Sequence, residues 1–183
     1  MGIFLLLMKA YESPADVPAT IYLLPRYRSM LNALQHKIPP PVIALLCAAG
    51  MWAIASQTLL YFIRPELKWA LIVIFVVMGI VFAMAGVFAF HRKKTTVNPL
   101  HPEKSSSLVT HGVYRITRNP MYCGMALFLI AWAIFLDSPM AFAGLPVFIF
   151  YIHYFQIIPE EKILTQLFGG AFIEYQERVR RWL

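Results

Sequence analysis

Three stretches of 22 residues, at 42–63, 69–90 and 138–159, contain no aspartate, glutamate, lysine or arginine. As helices each would reach about 33 Å, enough to cross the hydrocarbon of a bilayer. A fourth uncharged run, 120–136, is shorter and ends at Asp137-Ser138-Pro139, a turn signal. The last two runs therefore read as a tight helical hairpin. The fold class predicted is all-α: an integral membrane bundle of about four transmembrane helices, followed by a C-terminal amphipathic helix. Composition agrees, because 60 % hydrophobic and 14 % charged residues are too apolar a mixture for a soluble domain of 183 residues.

The charges between the runs set an orientation. Residues 91–119 hold Arg92, Lys93, Lys94, Lys104, Arg115 and Arg118 against the single acid Glu103. Positive residues beside span ends stay on the cytoplasmic side, so this loop is expected there. Both termini are expected on that side too, with Lys9, Arg26, Arg28 and Lys37 before the first run and Lys162, Arg178, Arg180 and Arg181 after the last. The formal charge of +7 is then explained by topology and attraction to anionic membrane lipid. It does not point to nucleic acid.

Residues 1–37 are expected to form an interfacial or partly ordered arm, and residues 38–183 the membrane domain. The apolar start at residues 1–8 is too short to span, and no small-residue cleavage pattern follows it. An upstream start preceding Met30 is an equal reading of this segment. Cys47 and Cys123 lie in apolar runs without metal-ligand spacing, which predicts packing roles and no metal. There is no internal repeat, Walker loop or GxGxxG.

Against this apolar background the segment THGVYRITRNPMYCG, residues 110–124, is dense in polar groups. Asn119 suits a helix N-cap and Pro120 the first turn. Arg115 and Arg118 serve equally as topology determinants, and Tyr114 and Tyr122 as interfacial aromatics. Their concentration at one helix mouth, beside free backbone N–H groups and the positive end of the dipole, also suits an anion. A cytosolic ligand carrying carboxylate or phosphate and simple membrane anchoring remain equal readings of these residues.

A second cluster, Pro159-Glu160-Glu161, is expected to open a helical tail on the same side, where carboxylates at a helix start would be favoured by the dipole. Phe172, Tyr175, Val179 and Trp182 then form one apolar stripe, with Glu174–Arg178 and Glu177–Arg181 paired at i,i+4 on the solvated side. Gly169-Gly170 would let this helix fold back over the basic mouth. Arginine and backbone donors at one end, carboxylates at the other and aromatics between would suit a zwitterionic cofactor with a flat base. S-adenosylmethionine is one such molecule, and the residues alone leave others open.

The blocks LVTHGVYRITRNPMYCG and PEEKILTQLFGGAFIEYQERVRRW, with IPPPVIALLCAAGMW at the start and TTVNP at 95–99, resemble the isoprenylcysteine carboxyl methyltransferase family. The shared patterns are G-x-Y-x-x-x-R-N-P-x-Y and EE-x-x-L-x-x-x-F-G-x-x-x-x-x-Y, and the resemblance runs from about Ile38 to the end. It implies an integral-membrane methyltransferase, of bacterial type and hence of the inner membrane, using S-adenosylmethionine on a lipophilic or small acceptor. Carried over position by position, it implies a cofactor site at Val109, Gly112, Tyr114, Arg118, Pro120, Tyr122, Glu160 and Glu161. Arg118, Glu161 and Glu160 are the catalytic candidates: Arg118 for the cofactor carboxylate, and the glutamates for its ammonium or the acceptor.

The chain departs from eukaryotic members of that family at Ser106, at Asn119 within Arg118-Asn119-Pro120, and at Ile157. They carry histidine, histidine and arginine there, so the resemblance leaves the acceptor open. His111 is expected to be a loop residue. Two rival readings are a nicotinamide-dependent membrane reductase and a non-enzymatic helical membrane protein whose Gly79, Ala83 and Gly86 support helix packing or self-association.

Overall fold

The computed structural model describes residues 38–57, 64–92 and 107–183. The expected arm at 1–37, the end of the first apolar run at 58–63, and most of the basic loop with the 95–99 motif and Ser106 lie outside the described residues. Among those described, every regular element is helical.

Prolines start the helices. Pro40 opens α1 (Pro40–Ala55), Pro65 opens α2 (Pro65–Arg92) and Pro120 opens α3 (Pro120–Leu136). Each sits where its missing N–H would have had no intrahelical partner, and its fixed φ suits the first turn. α3 stops at Asp137, whose left-handed backbone (φ 56°) ends the helix. A short 3₁₀ turn, Pro139–Ala143, then leads into α4 (Gly144–Ile152).

The last apolar run does not end at Pro159 as expected. α4 continues through a widened π-type turn, His153–Ile157, into α5 (Ile158–Phe168) without a break. Pro159 has no N–H for the carbonyl four residues back, and its ring crowds that carbonyl. A widened turn just before the proline relieves both problems. α6 (Gly170–Arg178) follows Gly169, whose φ of +54° reverses the chain.

Two helical stretches, Pro65–His91 and Pro139–Phe168, are long and apolar enough to cross a membrane, whereas α1 and α3 are shorter apolar helices. Only 11 % of the apolar stretch of α2 is buried, and Val73, Val77, Val81, Met84 and Phe88 lie exposed along it. That surface suits hydrocarbon rather than water.

The small residues singled out in α2 are used inside the chain. A Cβ on Gly124 of α3 would stand 2.9 Å from the Gly79 carbonyl oxygen and 3.2 Å from the Ala83 nitrogen. One on Gly86 would meet Met121 at 3.0 Å and Pro120 at 3.2 Å. Backbone-to-backbone contact of this kind is how apolar helices associate without a hydrophobic driving force. Gly144 likewise leaves room for the side chain of Met51, closing α4 on α1. Ile43, Met51, Leu129, Phe148, Ile152 and Ile157 form the core these helices share. Long-range polar ties add to it: Trp132 Nε1 donates to the Ala48 carbonyl (3.0 Å), Gln156 Nε2 to that of Ile38 (3.0 Å), and Lys68 of α2 pairs with Asp137 after α3 (3.2 Å).

Candidate active site

The segment before α3 begins at Gly112, whose φ of +64° is a conformation that favours glycine. No atom lies within 4 Å of where its Cβ would be, so the turn itself calls for glycine. A single 3₁₀ turn, Gly112–Arg115, then tucks Tyr114 under the end of α2, where its ring meets Phe90 edge-on at 5.5 Å. Val109, Tyr114, Ala89, Phe172 and Tyr175 make a second apolar cluster that seats α6. Tyr175 donates its hydroxyl to the Tyr114 carbonyl at 2.7 Å. Burial pushes both phenols up, for Tyr175 against the pull of Arg118, so each stays neutral.

The mouth of α3 differs from the simple capped helix expected. The Asn119 side chain does not cap; it donates to the Arg181 carbonyl at 2.9 Å. The Thr117 hydroxyl reaches the same carbonyl at 3.2 Å, and the Arg118 N–H donates to the Arg180 carbonyl at 2.9 Å. The tail thus lies across residues 117–119, and its carbonyls take donors that the dipole argument assigned to an anion.

Arg118 stands at the centre. Nη1 donates to the carbonyls of Gln176 (2.8 Å) and Val179 (3.0 Å), bonding the C-terminal end of α6 where a cation is favoured. Nη2 donates to Glu161 Oε1 at 2.8 Å, with both side chains about nine-tenths buried. Nε is buried and without a partner among the described residues. A buried guanidinium N–H left this way is an opening for a ligand oxygen.

The two adjacent glutamates have different surroundings. Glu161 is buried and also receives Arg181, through Nε to Oε1 (3.1 Å) and Nη2 to Oε2 (2.7 Å). Glu160 is half-buried and accepts a hydrogen bond from the Tyr122 hydroxyl at 2.6 Å. Because the helix is continuous here, neither carboxylate caps a helix start, contrary to the dipole reading. Neighbours hold them instead.

Of the residues picked from the sequence, Arg118 and Glu161 touch directly, as do Tyr122 and Glu160. Tyr114 joins through its carbonyl, which accepts from Tyr175 on α6. Val109 joins through the Tyr114 cluster. Pro120 is fully buried at the α2 contact, and Gly112 shapes the loop with open space above it. The acidic and basic groups therefore share one end of the bundle.

Sequence reasoning missed Arg181. Pairing with Glu177 at i,i+4 required a helix through residue 181, but α6 ends at Arg178, and Arg181 turns inward to Glu161. Glu174 and Arg178 do pair as expected, at 3.3 Å on the exposed side of α6. Thr117 and Asn119 were also unassigned to the tail, and no local signal announces a partner 62 or 64 residues away. Among the described residues no cluster of three or more metal-ligating side chains occurs.

A family model for phospholipid methyltransferases matches residues 67–171. The chain is 31 % identical over 106 residues to protein-S-isoprenylcysteine O-methyltransferase A of Arabidopsis thaliana, covering 58 % of this chain and 54 % of that protein. It is 31 % identical over 124 residues to a probable protein-S-isoprenylcysteine O-methyltransferase of Oryza sativa subsp. japonica, covering 65 % of each. An uncharacterised protein of Haemophilus influenzae is 41 % identical over 63 residues, which are 34 % of this chain and all of that one. The chain thus spans between half and two thirds of the two plant relatives' length. No solved structure matches it.

Proposed function

The chain belongs to the phospholipid methyltransferase family, and on that premise we propose that it transfers a methyl group from S-adenosylmethionine to a lipophilic or small acceptor at a membrane. The observation that carries this reading is the Arg118 guanidinium, bonded to Glu161 yet keeping a buried Nε–H without a partner among the described residues, while the adjacent Glu160 holds the Tyr122 hydroxyl. This donor set fits the cofactor. Arg118 Nε would take a carboxylate oxygen, Glu160 an ammonium, and the tyrosine rings a flat base or the sulfonium.

When bound, S-adenosylmethionine supplies an electrophilic methyl to a nucleophile in line with it. The protein's part is to hold and to dry. Positioning in a closed site can lower the barrier by roughly 7–11 kcal/mol, so little acid–base machinery is needed. A carboxylate or thiolate acceptor requires no strong base. An amine acceptor must lose a proton, and Glu160, which holds the Tyr122 hydroxyl, would take it.

In this reading the four apolar helices are four spans of a bacterial inner membrane, and the basic residues Arg115, Arg178 and Arg180 favour the cytoplasmic leaflet for this end. A lipophilic acceptor would then arrive from the bilayer and the cofactor from the cytosol. The test is incubation of the lipid-reconstituted protein with methyl-labelled S-adenosylmethionine and a lipid or thiol extract, with identification of the labelled product. A parallel titration with a reduced nicotinamide dinucleotide addresses the reductase alternative: affinity for it, with none for S-adenosylmethionine, would overturn the proposal.

A further inference from the structure

Arg181 lies outside both blocks' assigned residues, yet it makes more contacts to the site than most of them. Its Nε and Nη2 form a side-on fork over Glu161, occupying both carboxylate oxygens, while Arg118 shares Oε1. Its Nη1 lies 3.1 Å from His153 Nε2; a guanidinium only donates, so that ring nitrogen accepts. Its carbonyl is held by Thr117 and Asn119. Backbone and side chain are thus fixed from opposite sides, one by the mouth of α3 and the other by the long α4–α5 helix.

The consequence falls on the two carboxylates. A buried glutamate facing one guanidinium would share its second oxygen with whatever ligand arrives. Facing two, with both oxygens engaged, Glu161 is committed to the protein and orients Arg118, whose Nη2 it accepts. Glu160 next to it has no ion pair among the described residues and holds the Tyr122 hydroxyl instead.

We propose that Arg181 is a positioning residue: by clasping both oxygens of Glu161 it fixes the Arg118 guanidinium for the ligand and leaves Glu160 as the carboxylate that meets it. This rests on the methyl-donor reading above. Lysine cannot reproduce the fork, since its ammonium lacks the fixed, parallel pair of donors that the planar guanidinium presents.

The experiment measures S-adenosylmethionine and S-adenosylhomocysteine binding calorimetrically on the full chain in detergent, with thermal unfolding recorded beside it. Arg181→Ala is expected to weaken binding about tenfold and Arg181→Lys to recover only part of it. Repeated in an Glu161→Gln background, Arg181→Ala is expected to have almost no further effect, whereas Glu160→Gln still weakens binding there. A merely structural tail residue would not show that selective coupling. Wild-type affinity in Arg181→Ala overturns the proposal, as does an equal loss with and without Glu161. So does an Arg181→Ala chain that no longer folds while Glu161→Gln does, because Arg181 then acts other than through Glu161. Absence of binding by the unmutated chain sinks the donor reading itself, and this proposal with it.

Discussion

The α2–α3 contact and the tail knot around Arg118 lie in the same small bundle and are held by opposite means. Among the described residues no side-chain hydrogen bond joins α2 and α3 along the Gly79, Ala83, Gly86 and Gly124 seam; two backbones approach because no side chain stands between them. Around Arg118 the apolar cluster that seats α6 is supplemented by polar bonds. Directed bonds to Gln176, Val179, Glu161 and the 117–119 segment carry the structure. Shape alone suffices where helices have one way to nest and no water to compete. Where a short tail must be placed on a loop and still leave a donor open, geometry has to be specified bond by bond.

The strongest way to separate the two regions is Arg118→Ala. It removes a nearly buried partner of Glu161 and the guanidinium bonding the end of α6, a change expected to cost about 3–5 kcal/mol locally. Cofactor binding should be lost and amide exchange in α6 should accelerate, while α2 and α3 keep their protection. Equal loss of protection throughout would show that the two regions are one cooperative unit.

Gly124→Val attacks the other side. The new side chain must enter a space already closed by Gly79 and Ala83, with an expected cost of about 1–3 kcal/mol. The melting temperature in detergent should fall, and donor affinity measured well below it should change little. A large affinity loss would mean that helix spacing sets the site directly.

Tyr175→Phe sharpens the contrast further. It leaves the Tyr114 carbonyl without its donor in a buried place, for about 1–2 kcal/mol, and should be seen as faster exchange in α6 alone. Arg178→Ala is the smallest change. Its pair with Glu174 is two-thirds exposed, so an effect below about 0.5 kcal/mol is expected in thermal unfolding.

Much of this architecture was legible in the chain. Uncharged runs announced apolar helices, Asp137-Ser138-Pro139 announced the reversal after α3, and the glycines at 169 and 170 announced the fold-back of α6. Each is a local signal: hydrophobic length, a turn residue or a backbone needing positive φ. The helix end expected at Pro159 was misplaced because proline normally breaks a helix, and the widened turn that accommodates it is invisible in residue type. Arg118, Glu160, Glu161 and Tyr122 were singled out as a group, but their partners were not.

Sequence by itself determined the solvent this protein needs, where its helices reverse, and which side chains are chemically equipped to hold an anion and a cation. Only the tertiary structure decided that Arg181 leaves the solvated face for Glu161, that tail carbonyls cover the mouth of α3, and that two neighbouring glutamates have unlike partners. The reason is range. Hydropathy and turn propensity act over a few residues, whereas a guanidinium's choice of acceptor is set by which groups the completed fold brings within about 3 Å.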